Sequence, residues 1–210
     1  GAQRLLESVM GADSLAKKLL GMQLMVEPVA LTLFQVVRKL DLEPVLSRLL
    51  PYYEVDEARH VALGIKYLPA LLERMSTAQQ LELWLFQLKL VSLEVFSNVG
   101  LCRDMHKLGL DPRELLDVGK AKQFHAIDLL FEESRVPPGL PQELLVRYAG
   151  VIGEVSLPRL GASEGWSSRL KRAMQIAVFG DKLAESGLAP DISPENVPLV
   201  PNYGENDSVH

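Results

Sequence analysis

The feature that most constrains the fold is a succession of long segments in which apolar residues recur at helical spacing. Short stretches rich in Pro, Gly and Asp separate these segments. None of the segments alternates apolar and polar residues as a half-buried strand does. The sequence therefore predicts an all-α fold. Because the first four helices are long and their connections are short, we expect a four-helix bundle with neighbouring helices antiparallel.

The predicted helix boundaries follow from caps and breakers. Asp41 is expected to cap the second helix, and Pro112 to begin the fourth, which ends before Pro137. Two further helices are expected after the bundle. Residues 1–186 are predicted to form one domain, followed at 187–210 by a proline-rich tail that is extended or disordered. The predicted helices cover about residues 14–40, 41–75, 77–107, 111–136, 141–156 and 166–186.

Composition limits the classes of function. The chain has 210 residues, of which 48% are hydrophobic, enough for a substantial core. A net charge of -5 gives no basic surface for nucleic acid. Since no run of about 18 uncharged apolar residues occurs, we also expect no membrane span. The single cysteine, Cys102, excludes an intrachain disulfide and favours a cytoplasmic location.

The chemistry-bearing residues centre on Asp56-Glu57-Ala58-Arg59-His60. Glu57 and His60 are three residues apart, so they share one face of the predicted second helix. In a bundle, such a pair serves a carboxylate-bridged dimetal site, in which two helices each give a Glu and two give Glu-x-x-His. The alternative is an ordinary solvated charge cluster.

Two further glutamates, Glu27 and Glu94, interrupt apolar stretches of the first and third predicted helices. A buried carboxylate needs a metal, a cation or a shared proton as a partner. Nearly the same number of residues separates Glu27 from His60 and Glu94 from His125. We therefore expect these four residues to meet in one layer of the bundle, unless the glutamates lie at its rim.

The five-residue motif resembles the Asp/Glu-Glu-x-Arg-His signature of bacterial multicomponent monooxygenases and acyl-carrier-protein desaturases, and p-aminobenzoate N-oxygenases carry a similar one. The chain thus resembles the ferritin-like dimetal superfamily over about residues 27–132. The resemblance implies a ferritin-like bundle in which Glu57 bridges two metals and His60 binds one. Glu27 and Glu94 then complete the carboxylate shell.

The same resemblance gives roles to the residues around the ligands. Asp56 would orient the histidine of the opposite helix, and Arg59 would pair with carboxylates next to the metal ligands. Tyr53 is four residues before Glu57 on the same helical face. It is interpreted either as a redox-active or hydrogen-bonding tyrosine at the site, or as a packing residue.

The chain departs from the superfamily in the fourth helix, where Lys122 stands three residues before His125 in place of the expected Glu. One interpretation places its ammonium among Glu27, Glu57 and Glu94, where it replaces one metal charge and leaves a mononuclear or metal-free site. The other interpretation is that Lys122 extends to solvent. Asp128, three residues after His125, is either a replacement ligand or a solvent-facing acid.

These observations predict an oxidoreductase of the ferritin-like dimetal class, a monooxygenase that uses dioxygen to oxidise a small organic substrate. Carboxylate and imidazole ligands suit iron, either as a diiron pair or as iron with manganese. An electron-donor protein is an expected partner, and a homodimer is a possible assembly. The alternative is a degenerate relative with one metal or none, which binds a ligand or a partner protein.

Overall fold

The computed structural model describes residues 2–41, 43–133, 140–159 and 165–181, and within these ranges all regular secondary structure is helical. The all-α prediction is confirmed, and the two helices expected after the first four are present. The first short helix was not predicted, and the tail at 187–210 lies outside the described residues. The helices are α1 (Ala2–Met10), α2 (Leu15–Leu40), α3 (Pro44–Leu72), α4 (Thr77–Lys107), α5 (Pro112–Glu133), α6 (Leu140–Ser156) and α7 (Trp166–Phe179).

Four helices, α2 to α5, pack around the main hydrophobic core. Helix α2 contacts α3, α4 and α5, and helix α5 contacts α3 and α4. Helices α1 and α6 pack against α4, and α7 packs against α6. Burial of apolar surface is the main stabilising term for this arrangement. The fully enclosed core residues include Leu24, Leu31, Val61, Ile65 and Leu90.

Helix α2 changes its winding next to the first candidate site residue. It is α-helical over Leu15–Leu19, π-helical over Leu20–Val26 and α-helical again over Glu27–Leu40. Pro28 cannot donate a backbone hydrogen bond, and its ring collides with a carbonyl four residues back in an α-helix. The wider winding ends at Val26, two residues before this proline, and the Glu27 amide donates to the Met22 carbonyl. Such π segments occur frequently at functional sites.

Two predicted boundaries were wrong. Asp41 does not cap the second helix, because it ends α2 in the left-handed conformation with φ 45°. The cap of α3 is Glu43, whose carboxylate accepts from the Leu46 amide at 2.7 Å. At the other end of the chain, α7 stops at Phe179, because Gly180 adopts φ 88°. Residues 182–186 lie outside the described part.

A buried ionic network attaches the C-terminal helices to α5. Arg113 and Lys120 are 2% and 3% exposed, so their charges need close partners. Asp117 accepts from both cations at 3.2 Å. Glu154 on α6 lies 3.5 Å from Arg113, and Asp181 after α7 lies 2.5 Å from Lys120. The network therefore fixes α6 and the end of α7 against α5.

Two helices, Leu15–Leu40 and Thr77–Lys107, are long and apolar enough to cross a membrane, although the sequence had predicted no span. Only 44% and 28% of their most apolar windows are buried within the protein. Core helices of water-soluble proteins and signal sequences satisfy the same criterion. The length and hydropathy of these two helices are therefore weak evidence for a membrane span.

Gly64 permits the close approach of α2 and α3. A Cβ atom at this position would lie 2.7 Å from the Gln23 Cβ, whereas a Cβ at Gly100 would meet nothing within 4 Å. We expect Gly64→Ala to destabilise the protein by about 1–3 kcal/mol through overpacking. Gly100→Ala should stabilise it by about 0.5–1 kcal/mol, since alanine favours helix. Urea unfolding measures both, and equal effects would contradict the close approach.

Candidate metal centre

Three of the predicted metal ligands meet at the interface of α2 and α3. Glu27, Glu57 and His60 each offer one ligand atom, and these atoms lie within 4.8 Å of one another. The Nδ1 atom of His60 is 3.3 Å from Glu57 Oε2 and 3.8 Å from Glu27 Oε1. Among the described residues, this is the one group of three or more such donors.

The local helical structure explains why these side chains converge. Glu57 and His60 lie almost one turn apart on α3, so they project from one face. Glu27 is the first residue after the π segment of α2. The two glutamates are largely enclosed, with 13% and 18% of their side chains exposed, whereas the His60 side chain is 53% exposed. The group is therefore open to solvent on the histidine side.

The electrostatics of the group favour a cation. Burial, a hydrogen bond with Glu57 and the charge of that carboxylate together raise the pKa of Glu27 to about 8, burial being the largest cause. Glu27 thus holds a proton at neutral pH. A metal ion would replace this proton and interact with both carboxylates. Two carboxylate oxygens and one imidazole nitrogen form a donor set that suits iron, manganese or zinc.

Glu94 lies outside this group and has a different partner. The Nε2 atom of Gln123 donates to Glu94 Oε2 at 2.7 Å and to the Met25 carbonyl at 2.8 Å. Burial raises the pKa of Glu94 to about 7, against the opposing effects of the Gln123 hydrogen bond and the Lys120 charge. The buried carboxyl is therefore satisfied by an amide.

Helix α5 does not direct its predicted ligands towards Glu94. His125 and Asp128 are exposed, and with Glu132 they follow one outward stripe of the helix at spacings of three and four residues. Asp128 accepts from Gln142 Nε2 at 2.6 Å on the surface. The structure thus brings neither predicted ligand of α5 to the three-residue group.

Lys122 fits neither interpretation offered by the sequence. It is 1% exposed, so it does not extend to solvent. Its ammonium donates to Gln35 Oε1 at 2.5 Å. Because Gln35 lies about two turns after Glu27 on α2, the ammonium is away from the glutamates that one interpretation placed around it. Burial is the main cause that lowers the pKa of Lys122 to about 8. The positive charge of Lys39 also lowers this pKa, and the negative charge of Glu54 acts in the opposite direction.

The residues predicted around the ligands make simpler contacts. The Tyr53 side chain is half exposed, and its ring packs against Phe34 with 6.0 Å between the ring centroids. Asp56 pairs with Arg59 on its own helix, at 2.9 Å. Packing is therefore the contact that the structure gives Tyr53, and Asp56 and Arg59 form an ion pair in which Asp56 is half exposed and Arg59 is largely enclosed.

Sequence reasoning missed Gln123, the residue that binds Glu94. The sequence pattern indicates that Gln123 faces inward, because the buried residues Ala126, Ile127 and Leu130 follow it at helical spacing. Gly119 lies on the same face, and a Cβ atom there would be 4.0 Å from Glu94 Oε1. The inward face of α5 at the level of Glu94 is therefore formed by Gly119 and Gln123.

Comparisons with known proteins give no match to this chain among protein-family models, curated proteins or solved structures. Within the described residues, fold and site define an all-helical protein with one candidate metal centre of two carboxylates and one imidazole.

The raised pKa of Glu94 predicts a pH-dependent stability. The folded protein keeps a proton on Glu94 that the unfolded chain releases above pH 4.5, the ordinary pKa of a glutamate. The resulting stabilisation is complete below pH 4.5 and is lost as the pH rises towards 7, by up to about 1.4 kcal/mol per pH unit. We expect Glu94→Gln to remove this component. Urea unfolding at pH 5 and pH 8 measures it, and an unchanged pH difference in the variant would contradict the burial of a titrating Glu94.

Proposed function

We propose that this chain binds one metal ion, iron or manganese, through Glu27, Glu57 and His60 and uses it to oxidise a small organic substrate with dioxygen. The convergence of three ligand atoms within 4.8 Å is the observation that supports this proposal. The arrangement of a lone Glu on α2 and Glu-x-x-His on α3 corresponds to half of a ferritin-like dimetal site. The ferritin-like ancestry of the bundle is part of the same proposal.

A single metal is favoured because the other half of such a site is not assembled. A dimetal centre requires a second Glu-x-x-His, and α5 places Gly119 and Gln123 beside Glu94 instead. His125 is exposed on the opposite stripe of that helix. Glu94 already accepts the Gln123 amide, so it stays outside the proposed ligand set.

The roles of the chain's own residues follow from their burial. Glu57 supplies a carboxylate oxygen, His60 supplies a ring nitrogen, and Glu27 binds after it releases the proton that burial retains there. Iron held by these ligands would supply redox chemistry and open positions for dioxygen. Because His60 is half exposed, the metal, dioxygen and an electron-donor protein can approach from the solvent side.

A protein without redox activity is the second candidate function. It is favoured by the Glu94–Gln123 hydrogen bond and by the Lys122–Gln35 hydrogen bond, which satisfy two buried ionisable groups without a metal. In that case the bundle binds a ligand or a partner protein. Metal content and dioxygen consumption separate the two candidates.

The metal proposal predicts different effects for two histidines. After growth with iron and manganese, the purified protein should contain about one metal equivalent per chain, and dioxygen uptake with a chemical reductant should require that metal. His60→Ala should lose most of the metal, because it removes the nitrogen ligand. His125→Ala is the matched control and should retain it. If elemental analysis finds no metal in the unmodified protein, the proposal is wrong. If it finds two equivalents per chain that are lost on substitution of either histidine, the protein has a dimetal site instead.

Metal binding should also release a proton from Glu27. Its pKa of about 8 means that the carboxyl is protonated at pH 7 and mostly ionised at pH 9. Titration with Mn²⁺ at pH 7 should therefore release close to one proton more than at pH 9, and affinity should rise with pH up to about 8. Calorimetry in two buffers of different ionisation enthalpy measures the release. Glu27→Gln should abolish the difference between the two pH values, and proton release that is independent of pH would exclude Glu27 as the source.

A further inference from the structure

The structure contains a second candidate site, a cavity of about 450 Å³ between helices α2, α3, α4, α5 and the start of α6. None of its described lining residues belongs to the group of Glu27, Glu57 and His60. Its walls are chiefly aliphatic and aromatic, with Leu24, Leu68, Leu83, Trp84 and Phe131 among them. The volume lies within the range of roughly 300–1,000 Å³ that is typical of small-molecule pockets.

The lining also limits the charge of a ligand. The polar residues among the described lining are Thr77 and three glutamines, and no Asp, Glu, Lys, Arg or His is present there. Moving an ionised group from water into such a surrounding is expensive without a charged partner. A ligand that fits this cavity is therefore neutral where it is enclosed and is largely hydrocarbon.

Gln87 supplies the polar feature that orients such a ligand. It lines the cavity and is only 8% exposed. Its one hydrogen bond within the described part of the chain is a long contact from Nε2 to the Met25 sulfur, at 3.7 Å. The amide oxygen accepts no hydrogen bond from the described part of the chain, so it can accept one from a ligand in the cavity. A ligand hydroxyl would donate to it.

We propose that this cavity binds a neutral, hydroxyl-bearing apolar molecule such as a medium-chain alcohol, with its hydrocarbon part against the leucines and its hydroxyl on Gln87. The cavity and its amide are formed entirely by the chain itself. Binding therefore does not depend on the metal proposed above, and the two proposals fail independently.

The test uses the full, metal-free chain carrying Trp166→Phe and three probes that differ only in their polar end. These are 1-octanol, octanoate and octyl methyl ether. Trp84 lines the cavity, whereas Trp166 begins α7, so Trp166→Phe leaves a single fluorophore at the site. We expect saturable quenching of Trp84 by 1-octanol. The ether should bind several-fold more weakly, since it cannot donate a hydrogen bond, and octanoate at pH 8 at least tenfold more weakly.

The variant Gln87→Leu separates the role of the amide from that of the apolar walls. It should weaken 1-octanol binding about fivefold to tenfold and leave the ether unchanged, because only the alcohol uses the amide. Three results would overturn the proposal. These are the absence of saturable quenching by 1-octanol, equal affinity for octanoate, and equal affinity for alcohol and ether in the protein that retains Gln87. The last comparison needs no change at Gln87, so it holds even if Gln87→Leu does not fold.

Discussion

The hydrogen bonds of Gln123 are the interaction on which the rest of the bundle depends. One amide nitrogen on α5 donates both to the Glu94 carboxyl on α4 and to the Met25 carbonyl in the π segment of α2. Each of these acceptors is in the protein interior, where an unpaired polar group costs about 1–3 kcal/mol. The amide therefore fixes the mutual register of three helices and holds the π segment directly before Glu27.

The rotation of α5 that places Gln123 inside decides where its neighbours lie. Lys122, one position before Gln123, donates a hydrogen bond to Gln35, which lies at a different level of α2. The residue two positions after it, His125, is carried to the solvent side. A helix turns by about 100° per residue, so no rotation of α5 can bury both Gln123 and His125 against Glu94. The candidate metal centre is consequently built by α2 and α3 alone.

The sequence predicted the helical class and the group on α3 because both depend on local spacing. Apolar periodicity determines helices directly, and Glu57 and His60 meet because they are three residues apart. The partners of Glu94 and Lys122 could not be predicted this way, since they depend on the rotation of α5 against two other helices. The failure at Asp41 was of another kind. Asp41 was the expected cap of α3, but its backbone is left-handed and the cap is Glu43, two residues further on.

Two buried ionisable groups of the bundle, Glu94 and Lys122, have amides as partners, unlike the ion-paired residues that join α5 to the C-terminal helices. Glu94 is held near neutrality by burial and a glutamine, and Lys122 is likewise buried against a glutamine. Glu27 differs from both, because its hydrogen-bond partner is a second carboxylate and its neighbour His60 opens to solvent. A shared proton satisfies that pair only while the pH stays below the pKa of Glu27. Above it the two carboxylates repel each other, and theirs is the site of these three where the exposed imidazole of His60 lies close by, 3.3 Å from Glu57 and 3.8 Å from Glu27.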